Sequence, residues 1–396
     1  MGYSIDLWVE YLLRFSHLVA GIYWIGSSFY FIWLDSAFQP PIVPKHNVDG
    51  EVFMLHGGFY YQVEKRKIAP GQIPDRLHWF RWEATFTWLT GFALLIFVYY
   101  LKGASLLIDS RIHELTQMQA IAISLATILI AWIGYDLIWN KKLIRSNTLS
   151  TLLSVVFFTA VIGSNFQLFS GRGAFIQTGV IFGTLMLLNV WVRILPGQAR
   201  MLTDAKAGKI PDYSESLKSK LRSVHNTYFI FPVLFIMLSN HYSTVTNHPF
   251  NYILLIIIAI SGAMARHAMV TKRPVDRLAL IPTSIGILAL VFITAKNPTV
   301  HSENDETSNI ANAIAYSKIK PIIQSRCLRC HSTKNTDQAF REAPKGIIFE
   351  SENQLIGLKN QIRQQTINSR AMPLGNLTQM TEEERLMLKN YLDGIE

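Results

Sequence analysis

The sequence predicts an all-α protein, a polytopic eight-helix transmembrane bundle followed by a small separate helical domain, and three observations predict it. Apolar runs of about 20 residues, the length that crosses a bilayer, recur along the first three-quarters of the chain. Lysine and arginine gather in every second loop between them. Beyond the last run the composition turns polar, and that remaining segment holds both cysteines of the chain.

Composition sets the outer limits. Of 396 residues, 50% are hydrophobic and only 16% charged, against about 25% charged in an ordinary soluble chain. This argues against a cytosolic enzyme, and the apolar content excludes disorder. Two cysteines are too few for a disulfide scaffold, a four-thiolate iron–sulfur cluster or a four-cysteine zinc site. The sequence contains no dinucleotide fingerprint, no phosphate-binding Gly-rich loop and no His-Glu-x-x-His zinc motif.

The spans are expected at Leu7–Leu34, Thr85–Leu101, Met118–Trp139, Leu149–Phe169, Ala174–Leu195, Val224–Tyr242, Tyr252–Val270 and Leu278–Ala295. Eight crossings put both ends of this part on one side. The loops after the first, third, fifth and seventh spans, together with Arg193 and Arg266 in the span ends that lead into them, hold 20 Lys and Arg, whereas the alternate loops hold only Lys102, Arg111 and Arg172. By the positive-inside rule the basic loops are cytoplasmic and both termini face outward. The opening MGYSIDLWVE lacks the basic n-region of a cleavable signal, so the first span is expected to be retained. From Glu303 onward twelve basic residues are matched by twelve acidic ones, so the net charge of +10 belongs to the membrane part. It reads as a topology signal and not as a nucleic-acid surface.

The domain boundaries follow: a membrane domain at 1–295, a polar, turn-rich linker at 296–309 and a second domain at 310–396. In the last, an amphipathic stretch leads into Cys327-Leu-Arg-Cys330-His331. C-x-x-C-H is the attachment signature of a c-type heme: two thiols bind the porphyrin vinyls, and the adjacent imidazole reaches the iron. The bland alternative, a redox dithiol, fits less well a segment that the topology delivers outside. Met372, in Arg370-Ala-Met-Pro-Leu-Gly-Asn376, is the better candidate for the sixth ligand, with Met380 the runner-up. A closing helix is expected behind Thr381 as N-cap, with Glu384 completing a capping box. Together these predict a class I-like cytochrome c domain whose methionine ligand suits it to accept electrons.

Polar residues inside spans are costly and mark function by default. Asp6, Glu10, Arg14 and His17 share a face of the first span, continued by Gly21, Trp24 and Ser28. His17 suits a b-type heme, a substrate, a proton relay or a plain interhelical hydrogen bond. A second group gathers where the basic loops attach: His78, Arg81 and Glu83, Asp136, Asn189 with Arg193, His225 with Asn226, and Arg266 with His267. Of these, Arg81 and Arg266 read as caps or snorkelling side chains. A third group holds Asn165, Gln167, Arg172, Asn240 and His241; Arg172 lies in Ser170-Gly-Arg-Gly173, suited to an anion or, more simply, to a turn.

Long motifs then point to a family. His17-Leu-Val-Ala-Gly-Ile-Tyr-Trp-Ile-Gly-Ser-Ser-Phe-Tyr-Phe-Ile-Trp-Leu-Asp35, His56-Gly-Gly-Phe-Tyr60, His78-Trp-Phe-Arg-Trp-Glu83, Gln167-Leu-Phe-Ser-Gly-Arg-Gly-Ala-Phe175 and Ser239-Asn-His-Tyr242 resemble the bacterial membrane-integral urate oxidases. In those proteins an eight-span domain is fused to a C-terminal cytochrome c. The resemblance implies an inner-membrane enzyme that oxidises urate to 5-hydroxyisourate. Its electrons leave through heme c to a soluble cytochrome c or terminal oxidase in the periplasm, and not directly to oxygen. Urate, a planar monoanion near neutral pH, calls for a cation or amide donors, an aromatic wall and a base. His17, Glu83, Asn189, Arg193, His225 and His267 are the expected catalytic residues, and Cys327, Cys330, His331 and Met372 the heme residues. A two-electron substrate also suggests a b-type heme on His17 with His241 or His267. Two competing readings remain: a quinol:cytochrome relay or oxidase subunit without urate activity, and a protoporphyrinogen-type oxidase, suggested by His17…Trp24-x-Gly26.

Overall fold

The computed structural model describes residues 5–71, 73–101, 104–270, 273–295, 316–337 and 343–394. The expected linker at 296–309 lies outside the described residues, as do residues 310–315 of the tail. The chain is mostly helical, with 69% helix and 5% strand. Among the described residues, eight helices are long and apolar enough to cross a membrane by length and composition. They are α1 (Ile5–Ala37), α2 (Trp82–Tyr100), α3 (Gln117–Ile138), α4 (Asn147–Leu168), α5 (Gly171–Lys206), α6 (Tyr213–Ser239), α7 (Asn251–Val270) and α8 (Pro274–Ala295).

Each coincides with an expected run, but two continue well past it. α5 reaches Lys206 instead of Leu195, and α6 begins at Tyr213 instead of Val224. The extensions are amphipathic and charged, so apolar run length does not detect them. They pack closely: a Cβ at Gly197 would lie 2.5 Å from Ser219 Oγ. Glu215 ties them together through Arg200 and, at 2.8 Å within α6, Lys218.

The all-α expectation needs one correction. Between α1 and α2 the chain forms an antiparallel hairpin, β1 (Val48–His56) and β2 (Phe59–Arg66), with His56 opposite Phe59. The two-residue turn is Gly57-Gly58, at φ +61° and +81°. Two consecutive left-handed residues suit the right-handed twist of the paired strands, and glycine adopts them without strain.

The described chain falls into two compact units whose boundaries lie inside the helices: residues 1–93, 182–234 and 259–285, and residues 94–181, 235–258 and 286–396. In the first unit, Ala84, Leu187 and Val190 are buried together with Trp24, Trp88, Ile194 and Leu195 packed against them. Trp88 Nε1 donates to Thr184 Oγ1 at 2.9 Å. α7 approaches α6 closely at Gly262, where a Cβ would sit 2.9 Å from Pro232 Cδ and 3.0 Å from Phe231 Cβ.

In the second unit, polar contacts bind the helices from within. Ser124 Oγ donates to Gln177 Oε1 (2.6 Å), Gln177 Nε2 donates to Thr127 Oγ1 (2.8 Å), and Asn165 Nδ2 donates to Thr178 Oγ1 (3.1 Å). The segment after α2, Ala104 to Asp109, is buried although irregular. Its carbonyls are met by Ser170: the Ser170 amide donates to Leu107 O and its hydroxyl to Leu106 O. Ser170 Oγ also accepts from the Gly173 amide at 2.9 Å. Ser170-Gly-Arg-Gly173 therefore starts a helix, and Arg172 Nε donates to Asn240 Oδ1 at 3.0 Å.

The tail packs α9 (Tyr316–Arg326) and α10 (Glu382–Asp393) around Ile319, Ile322, Ile323, Leu355, Met380 and Leu388. Thr381 and Glu384 form the expected capping box of α10. Glu384 also takes a two-pronged contact from Arg326, with Nε at 3.0 Å and Nη2 at 2.9 Å.

Candidate functional site

The first unit holds a half-open cavity of about 670 Å³, within the range of small-molecule sites. Trp24 and Phe31 of α1, with Trp79 and Phe80 ahead of α2, supply an aromatic wall. Ser27, Ser28, Asn226 and Thr227 supply polar groups. Both serine hydroxyls are turned back on α1, donating to Trp24 O at 2.8 and 3.0 Å. On the exposed side the cavity reaches Asp35, whose carboxylate pairs with Lys65 of β2 at 2.5 Å and Lys220 of α6 at 3.8 Å.

Arg266 of α7 also lines this cavity. It is fully buried, and its three guanidinium nitrogens have no hydrogen-bond partner among the described residues. Its guanidinium carbon lies 5.9 Å from the Phe29 ring centre. The expectation that Arg266 snorkels is corrected here. Gly262 and Arg266 are one turn apart, so the face that packs on Pro232 also turns Arg266 inward. A fully buried, unpaired arginine is rare and costs on the order of several kcal/mol. Sequence shows an arginine near a helix end; only the packing face says which way it points.

The expected catalytic residues fall into different surroundings. Asn189 is fully buried and donates through Nδ2 to Asn226 Oδ1 at 2.8 Å; Asn226 Nδ2 in turn donates to Met186 O at 2.9 Å. Asn189 opens a π-wound stretch of α5, Asn189–Ile194, a feature that often accompanies function. Arg193, at the end of this stretch, is exposed. The spacing of four that placed it beside Asn189 presupposes α winding. Glu83 is buried at the start of α2; its Oε1 lies 3.4 Å from Nε2 of the cavity residue His78, and its Oε2 has no partner among the described residues. His225 is buried next to Asn226 on α6. His267 Nδ1 meets the Tyr228 hydroxyl at 2.8 Å. His17 Nδ1 faces Thr87 O at 2.9 Å and Thr90 Oγ1 at 3.2 Å, and its ring occupies the space a side chain on Gly91 would need. His241 is exposed. Asn226, His78 and Arg266 are the residues that the sequence-based site set lacks and the cavity adds.

In the tail, Cys327, Cys330 and His331 follow directly on α9, and the turn is closed by His331 N donating to Cys327 O at 2.9 Å. His331 Nδ1 donates to Ile347 O at 3.0 Å, which fixes the tautomer and leaves the Nε2 lone pair for a metal. Burial lowers the His331 pKa, partly offset by the Ile347 carbonyl, so the imidazole stays neutral. Burial pushes the Cys327 thiol up to about 12 and the Cys330 thiol up to about 11. Redox-active C-x-x-C pairs work through lowered thiol pKa values, the opposite direction. Met380 is buried in the tail's hydrophobic core. Met372 is half-buried on a loop with its backbone held at both ends: its amide donates to Gln365 O (2.9 Å), and its carbonyl accepts from Arg385 Nη1 (2.9 Å). Two thiols, a neutral imidazole and a thioether are the donor types that would hold a c-type heme.

No curated protein and no solved structure gives a significant match to the chain. A family profile does: the one described as Urate oxidase N-terminal matches residues 3–296. That stretch contains the whole lining of the cavity, and the chain belongs to this urate oxidase family.

Proposed function

We propose that this chain is a membrane enzyme that oxidises urate to 5-hydroxyisourate and passes the electrons outward through a covalently attached c-type heme. Water supplies the added hydroxyl: the urate monoanion and one water give 5-hydroxyisourate, two electrons and one proton. Family membership supports the substrate. The observation that carries the electron route is His331, its Nδ1 held by Ile347 O, directly behind the two cysteines of the chain.

The heme, held by Cys327, Cys330, His331 and Met372, supplies a one-electron acceptor whose potential the thioether raises. The remaining roles belong to the cavity. Trp24, Phe31 and Trp79 offer ring faces for a planar purine. Asn226, oriented by Asn189, offers an amide edge. His78, with Glu83 Oε1 3.4 Å from its Nε2, takes the released proton in this reading. His225 and His267 flank this set on α6 and α7, and Arg193 serves it from the exposed end of the π-wound stretch.

Membrane placement is supported by inverted surfaces. Leu129, Ile130 and Ile133 of α3 and Leu288, Val291 and Phe292 of α8 are exposed, whereas Asn165, Gln177 and Asn189 are fully buried. Basic loops on the cytoplasmic side of a bacterial inner membrane then put the heme in the periplasm, for a soluble cytochrome c or terminal oxidase to reoxidise. A b-type heme on His17 belongs to the same proposal. His17 Nδ1 donates to Thr87 O, which leaves Nε2 for iron. A pyridine hemochrome showing c-type heme alone in active protein removes that element.

The test is anaerobic. Urate added to oxidised, purified full-length protein reduces the heme promptly, and Cys330→Ala protein shows no such change. A wild-type heme that dithionite reduces and urate does not would overturn the reading, and quinols tried on the same sample would then identify an electron relay.

A further inference from the structure

We infer that Arg266 is the anion-binding residue of the cavity and that its ligand is a planar, delocalised organic monoanion bearing adjacent oxygen and nitrogen acceptors. The inference rests on the urate reading and adds the residue that holds the charge.

Four observations converge on it. Arg266 is fully buried, yet Nε, Nη1 and Nη2 all lack partners among the described residues. It lines a cavity large enough for a small ligand. Of the other charged groups on that lining, Asp35 is already engaged by Lys65 and Lys220, so it is not the counter-ion of Arg266. Aromatic rings stand close by, with Phe29 beneath the guanidinium and Trp24, Phe31 and Phe80 on the cavity lining beside neutral polar residues such as Ser27 and Asn226.

Guanidinium is a flat fork of five N–H donors that matches paired acceptors on one edge of a planar anion. Buried in an apolar setting, it attracts such an anion far more strongly than it would in water. A quinol or a lipid tail offers neither the charge nor the edge. The geometry of α7 shows how the residue is kept in place. Gly262, one turn earlier, lets α7 close on Phe231 and Pro232 of α6, so the face of α7 that carries Arg266 is the one packed inward, at the cavity wall.

A structural arginine and a ligand-binding arginine respond oppositely to removal. An arginine that holds the fold takes stability with it when lost. One that waits unpaired for a ligand is a burden without that ligand, so an apolar replacement of similar length leaves the protein at least as stable.

The experiment uses full-length, heme-loaded protein with wild type, Arg266→Met and Arg266→Lys. Thermal melting is followed with and without urate, and urate affinity is read from tryptophan fluorescence. Urate is expected to raise the melting temperature of wild type. Arg266→Met is expected to melt no lower than wild type without urate, to gain nothing from urate, and to bind it about 100-fold more weakly. Arg266→Lys keeps the charge without the fork and loses about tenfold. Arg266→Met protein that binds urate as wild type does would overturn the assignment while leaving the substrate intact. A large drop in its melting temperature without urate would overturn it in favour of a structural role. Wild type that urate neither stabilises nor reduces would overturn the substrate reading and the named ligand with it.

Discussion

Met372 and Met380 stand eight residues apart in one tail, and their surroundings separate their roles. Met380 is buried among Ile323, Leu355 and Leu388, so its side chain contributes packing. Met380→Ala is therefore expected to cost about 2–5 kcal/mol of tail stability, measured by chemical denaturation, with the heme potential nearly unchanged. Met372→Ala is expected to do the reverse: covalent heme is retained, stability changes little, and redox titration shows a lower potential. Asn226 makes a comparable point in the other unit. It accepts from Asn189 and donates to Met186 O, so Asn226→Leu leaves two buried polar groups without their partner. A loss of about 2–4 kcal/mol is expected in thermal unfolding, together with weaker urate binding.

At the level of elements, irregular turns carry as much information as the long helices. Gly375 follows the Met372 loop at φ +53°, its carbonyl accepting from the Ser110 amide at 3.3 Å. A Cβ there would lie 2.4 Å from Ile108 O, so the tail loop and the segment after α2 meet backbone to backbone. Gly375→Ala is expected to keep the heme attached and dithionite-reducible while slowing its reduction by urate, a change visible in stopped-flow absorbance. The neighbouring Arg111 guanidinium, gripped by Asp109 at 2.6 Å, has its pKa raised by that carboxylate and stays charged on this face. The Gly57-Gly58 turn is a second such place. Gly58→Val forces a β-branched residue to φ +81°, at a cost of about 1–3 kcal/mol. Faster proteolysis at the hairpin, with the heme spectrum unchanged, would show it.

For the whole molecule, the cavity and the charge pattern point to one side. The rim residues Lys65 of β2 and Lys220 of α6 lie in the basic segments that the proposed topology puts in the cytoplasm, so urate is expected to reach the cavity from that face. Inverted membrane vesicles should then oxidise added urate at once, and right-side-out vesicles only after permeabilisation; equal rates in both would refute this sidedness. Sequence alone determined the eight apolar helices, the alternation of basic and non-basic loops between them, the capping box at Thr381 and the C-x-x-C-H signature, because each depends on run length, composition or fixed local spacing. It missed the hairpin, although Gly57-Gly58 between alternating residues was its signal, and it missed the amphipathic ends of α5 and α6. Asn189 was found as a buried polar residue, but its partner Asn226 was not placed in the site. Arg266 was read as a snorkelling side chain. Only the tertiary structure decided these matters, because they turn on which face of a helix meets a neighbour, and a close approach such as Gly262 on Pro232 is set by two segments far apart in the chain.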